Sequence, residues 1–157
     1  MSLDQRDLAI LRVIQSDSKL SMKDVAIRLN IPVTTVHSKV KRLEREGFIK
    51  SYKAILDHRK LQQNATAFIQ ATFSYRLAGE EKLLSQRDVA REVAKFEEVQ
   101  EVHIITGDWD LLMKVKAQDV DAIGKFVVDK LRTVKGIEKT ITCMVFDTAK
   151  ETTELSI

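Results

Sequence analysis

Apolar residues recur at helical spacing three times over the first 47 positions, and at alternating strand and helix spacing after position 64. The chain therefore divides into an all-helical front and a mixed rear. Asp4 is a good N-cap for a first helix carrying Leu8, Leu11 and Ile14, with Ile10 and Val13 widening its apolar face, and the pattern stops near 16–19. Ser21 followed by Asp24 resembles a capping box and opens a second helix, whose Val25, Ala26 and Leu29 can face the first. Asn30 tolerates the left-handed backbone that ends helices, Pro32 suits the start of a third, and Gly47 stops it. On a helical wheel centred on Val36, the residues Val33, Val40 and Leu43 fall within about 60°, which predicts one buried stripe of four side chains. Two short helices joined by a turn, the second basic on its outer side, form a helix-turn-helix pattern. Phe48, Ile49, Tyr52 and Ile55, with Lys50 and Lys53 between them, predict a short extended wing.

The rear of the chain predicts strands over 65–75, 99–106, 110–117 and 137–146, and helices over 81–96 and 120–134, the latter capped by Asp119 and carrying Ile123, Val127 and Leu131. The order β-α-β-β-α-β is the ferredoxin-like pattern, an antiparallel sheet with two helices on one face. The fold class is thus α+β, with boundaries at 1–56 for the winged helix-turn-helix, 57–64 for a polar linker, 65–149 for the sheet domain and 150–157 for a tail. In the last strand Ile137, Ile141, Cys143 and Val145 alternate with Thr140, Thr142, Met144 and Phe146, and in the first Phe68 opposes Ile69 and Phe73. Two helices cover one face only, whereas a solvated face is normally polar, so a second copy of the chain is expected against the other.

Charge sharpens the division. Residues 1–61 hold 13 Lys and Arg against 7 Asp and Glu, a net +6, while 62–157 carry a net −3. The front half alone suits a polyanion. With one cysteine, Cys143, there is no intramolecular disulfide; no signal segment and no apolar run of membrane length is present, so a cytoplasmic location without membrane contact is expected.

These features assign candidate chemistry to two places. On the third helix, Thr34, Thr35, His37 and Ser38 lie where they can approach base edges and the sugar-phosphate wall of double-stranded DNA, and Lys39, Lys41, Arg42 and Arg45 can hold phosphates or guanines. The competing reading is a solvated amphipathic helix with internal pairs such as Lys41–Glu44 or Arg42–Glu46. In the loop 106–110, Gly107 permits an unusual backbone, and Asp108 and Asp110 could receive an ammonium group; a tight hairpin turn explains the same residues. His58 and His103 have no partners at metal-ligand spacing, and no nucleophile elbow, phosphate-binding glycine loop or zinc motif occurs. Neither an enzyme nor a metal or cofactor requirement is indicated.

Four segments together resemble the Lrp/AsnC, or feast/famine, transcriptional regulators: LDQRDLAILRVIQ, TTVHSKVKRLEREGFIKSYKAILD, TGDWDLLMKV, and GIEKTITCMVF followed by KETTEL. The resemblance implies a DNA-binding regulator whose sheet domain oligomerises, as a homodimer that assembles into tetramers or octamers, and senses a small amino acid. It further implies an effector site built around Gly107, Asp108, Trp109 and Asp110, with Thr140 and Thr142 contributing from the last strand. An effector-independent protein that compacts DNA is the alternative. Asn30 stands where that family commonly has glycine, and Ser156 where it commonly has proline.

Overall fold

The structure is a computed structural model that describes residues 2–76 and 83–157. Three helices open the chain: α1 (Gln5–Ser16), α2 (Met22–Leu29) and α3 (Val33–Arg45). Reciprocal caps fix where the first two begin. Asp4 Oδ1 accepts from the Asp7 amide at 2.8 Å while Asp7 Oδ2 accepts from the Asp4 amide at 2.9 Å, and Ser21 and Asp24 repeat the arrangement at 3.1 Å each. Asn30 ends α2 at φ +52° and Gly47 follows α3 at φ +78°, the left-handed backbone expected at both places. Ile10, Ile14, Val25, Ala26, Val36, Val40 and Leu43 interlock as the core of this bundle.

One expectation for this region needs correction. Val33 leaves the buried stripe: it is 45% exposed at the first position of α3, lining a shallow groove with Ile27 and Pro32. The wing segment after α3 carries no strand ladder; the Ile49 amide donates to the Leu43 carbonyl at 3.2 Å.

The rear unit contains β1 (Ala65–Phe73), α4 (Gln86–Val93), β2 (Val99–Ile104), β3 (Leu111–Ala117), α5 (Val120–Lys125) and β4 (Ile137–Met144). Its sheet is antiparallel in the order β2-β3-β1-β4, the ferredoxin-like arrangement. The predicted start of α4 at 81–82 lies outside the described residues. The helix expected over 120–134 is α-helical only through Lys125; a π turn follows over Phe126–Lys130 and a 3₁₀ turn over Leu131–Thr133. Phe126, Val127 and Leu131 point inward with Ile123 through these turns. Phe126 then meets Phe96 edge to face with ring centroids 5.6 Å apart.

Val89 and Val93 of α4 join these residues over Ala65, Ala67, Ile69, Ala71 and Phe73 of β1 and Leu111, Met113 and Val115 of β3. The opposite face of the sheet carries Phe68, Leu112, Ile141 and Cys143 among Thr66, Gln70 and Lys114. Ile137 does not belong to that face, contrary to its grouping with Ile141. A register shift between Ala71 and Phe73 sets Ile137 opposite Phe73, on the helix-covered side.

The chain separates into two compact units, residues 1–55 with 150–157, and residues 56–149. The tail therefore belongs to the helical unit. Gln15 brackets the Leu155 peptide, donating to its carbonyl at 2.8 Å and accepting from its amide at 3.0 Å, and Arg12 donates to the Ile157 carbonyl.

Candidate nucleic-acid interface

The apolar stripe of Val36, Val40 and Leu43 is fully or almost fully buried, which decides how every other side chain of α3 is aimed. Thr34, His37, Ser38, Lys41 and Arg45 are exposed. On the wheel centred on Val36 they occupy an arc from about 100 to 200°, directly opposite the stripe. Neither Lys41 nor Arg45 has an ion-pair partner among the described residues, so both cations are available to a polyanion. Thr35 is half-buried, and its carbonyl accepts from the Ser38 hydroxyl at 3.0 Å.

Lys39 and Arg42 are aimed elsewhere. Lys39 Nζ lies 2.5 Å from Asp4 Oδ2 and 2.9 Å from Asp7 Oδ1; Arg42 lies 2.6 Å from Asp7 Oδ2 and 3.5 Å from Glu46 Oε2. The Asp7 side chain is 1% exposed, the one charged side chain in the cores of the described residues. Burial by itself would raise its pKa, but bonds from Arg42, from the Asp4 amide and from Lys39 hold the carboxyl far below the ordinary aspartate range. The same pairs raise Lys39 and Arg42, led by the bonds to Asp4 and to Asp7 respectively. The expected group of eight thus splits into five outward residues, the half-buried Thr35, and a pair tied to α1. The anticipated Arg42–Glu46 pair is present at 3.5 Å.

The sequence reading missed Asp7; the signal it carries is a carboxylate one helical turn from Ile10 and Leu11 on an apolar face, which does not reveal its partners. Tyr52 was legible only as a wing residue. Its hydroxyl donates to Glu44 Oε1 at 2.8 Å, and burial followed by that bond raises its pKa to about 12, keeping it a neutral donor.

In the loop 106–110 the two carboxylates separate. Asp110 accepts from the Phe73 amide at 2.8 Å and from Gln86 Nε2 at 3.3 Å, while its own amide donates to the Ala71 carbonyl at 3.0 Å. It latches the loop onto the irregular end of β1. Asp108 is exposed, Trp109 is half-buried, and Gly107 takes φ +119°. Ala71 pairs with Leu111 on one side and Thr140 on the other, so Asp110 and Thr140 reach the same line across the sheet; Thr142 pairs with Ile69, further along.

Comparison with known proteins covers both units of the chain. The Lrp/AsnC ligand binding domain matches residues 66–155, and a winged helix-turn-helix DNA-binding domain matches residues 3–50. An HTH-type transcriptional regulator of Pyrococcus abyssi is 39% identical over 149 residues, spanning 95% of this chain and 96% of its own. The HTH-type transcriptional regulator FL11 of the same organism is 31% identical over 157 residues, spanning 100% and 98%. Among solved structures, the complex of a Neisseria meningitidis transcriptional regulator with L-Met superposes with a TM-score of 0.89 at 26% identity, covering 99% of this chain and 97% of that one. An AsnC family transcriptional regulator of Agrobacterium tumefaciens gives 0.88 at 26% identity, covering 98% and 97%.

Proposed function

The chain belongs to the Lrp/AsnC family of DNA-binding transcriptional regulators, and we propose that it reads its operator with the outward arc of α3, as a dimer or larger homo-oligomer whose DNA affinity an amino acid adjusts. The observation that carries the DNA half is the arc itself: Thr34, His37, Ser38, Lys41 and Arg45 in one exposed band opposite a buried stripe. Hydroxyls and an imidazole near the start of the helix suit base edges and sugar-phosphate contacts. Lys41 and Arg45 suit phosphate or guanine. Two such helices, related by a two-fold axis, engage successive major grooves about 34 Å apart.

The open face of the sheet supports the self-association. Phe68, Ile141 and Cys143 are exposed on a surface that no helix among the described residues covers, and a second copy would bury them. The effector half draws support from the ligand-binding domain that the chain matches and from the L-Met complex of the Neisseria regulator. In the loop 106–110, Asp108 is the carboxylate free to meet an α-ammonium group, with Gly107 exposing backbone beside it, and Thr140 and Thr142 stand as secondary candidates. Asp110 serves the latch to β1 and acts on any effector only by holding the loop.

An electrophoretic titration of operator fragments, run with and without each of the twenty amino acids and paired with sedimentation analysis, tests both halves. The reading expects a shift in affinity or assembly with at least one amino acid. No shift with any of them removes the sensing half, and equal affinity for random and selected DNA moves the function to DNA compaction.

A further inference from the structure

We propose that Asp7 is a positioning residue for DNA recognition, holding Lys39 and Arg42 as internal struts that fix the rotation of α3, and that these two cations do not neutralise phosphates. The proposal rests on the reading that α3 is the DNA-contacting helix.

The side chains that dock α3 are aliphatic, and apolar burial is non-directional: Val36, Val40 and Leu43 select which face of the helix is inward but tolerate small rotations about its axis. Charge-assisted hydrogen bonds are directional. Lys39 and Arg42 stand one turn apart on the flank facing α1 and converge on the two oxygens of one buried carboxylate, at 2.9 and 2.6 Å. A rotation of α3 stretches one contact or the other, and would carry the arc from Thr34 to Arg45 away from its groove.

The charge balance opposes a phosphate at the same place. Lys39 is shared by Asp4 and Asp7, and Arg42 by Asp7 and Glu46, so two cations face three carboxylates. The cluster is net negative. An incoming phosphate would have to displace a carboxylate partner from each cation, including one whose other side is closed to water. Lys41 and Arg45 face no such competition.

The test is the salt dependence of affinity for the full chain on a duplex obtained by selection from random DNA. Each phosphate-contacting cation contributes about 0.9 to the slope of log affinity against log salt. Lys41→Ala and Arg45→Ala are expected to lower the slope by about that amount each. Lys39→Met and Arg42→Met are expected to leave it unchanged and to weaken binding by the same factor at every salt concentration. Asp7→Asn, measured on the folded and binding-competent fraction counted by stoichiometric titration, is expected to lose about tenfold in affinity, the order of one lost base contact.

A drop of about 0.9 in slope for Lys39→Met or Arg42→Met overturns the proposal, since it would show a direct phosphate contact. So does wild-type affinity in the competent fraction of Asp7→Asn, which would leave Asp7 a purely stabilising residue. If Asp7→Asn does not fold, the two methionine variants decide. Unchanged slopes for Lys41→Ala and Arg45→Ala, by contrast, would remove the reading of the outward arc itself.

Discussion

The buried carboxylate of Asp7 dominates the helical unit at the residue scale. Breaking a buried pair by removing one partner typically costs about 3 to 5 kcal/mol, and because Lys39 and Arg42 retain access to water, Asp7→Asn should sit near the lower end, roughly 3 kcal/mol. Chemical denaturation of the helical unit would measure it. The same carboxyl sets an acid limit. Its pKa is depressed on folding, so the stabilisation is complete above the ordinary aspartate range and is lost as pH falls through and below it. Wild type should therefore lose stability on acidification more steeply than Asp7→Asn, which thermal melts between pH 6 and about 3 would show. Gly136 is the other decisive single residue. At φ +95°, a Cβ there would meet Phe73 Cε2 at 2.7 Å, while the Gly136 carbonyl accepts from the Ser74 amide at 2.8 Å, so Gly136→Ala combines backbone strain with a clash and should unsettle the start of β4.

At the scale of elements, the helices begin and end where local chemistry dictates. Replacing the cap Ser21 by Ala removes the acceptor for the Asp24 amide and should cost about 1 kcal/mol, read from urea midpoints. Leu43→Ala, in the fully buried centre of α3, should cost about 2 to 5 kcal/mol and lower DNA binding only through the unfolded fraction. These local signals are why α1, α2 and α3 were readable from spacing and caps alone. Val33 escaped because a wheel position cannot tell whether a neighbouring element extends far enough to cover it. In the segment 48–57, alternation of apolar and basic residues specifies an extended backbone but not the presence of an edge to pair with. The π turn at Phe126–Lys130 had no signal in the sequence, since Ile123, Phe126, Val127 and Leu131 carry the apolar spacing of an ordinary α-helix.

At the scale of the whole molecule, each of the two units has its own core, and the tail 150–157 is tied to the first through Gln15 and Arg12. Removing those eight residues should lower the melting transition of the helical unit by a few degrees, for a loss of about 1 kcal/mol from exposed hydrogen bonds, and leave the sheet unit unmoved; hydrogen exchange resolved by unit would report both. On the open sheet face, Phe68→Lys should dissociate the proposed dimer while the unit stays folded, a change visible in sedimentation velocity. By itself, the amino-acid sequence determined what depends on near neighbours and on composition: helix caps, the β-α-β-β-α-β order, the basic front half, and the Gly-Asp-Trp-Asp loop. The caps and the loop are written within a few residues of one another, and the rest is order and composition along the chain. Only the tertiary structure decided which cations of α3 are free and which are struts, which carboxylate of the loop is a latch, and which face Ile137 joins. Each of those outcomes turns on a partner more than thirty positions away, and the choice is made by packing and desolvation when distant segments meet, which spacing along the chain does not record.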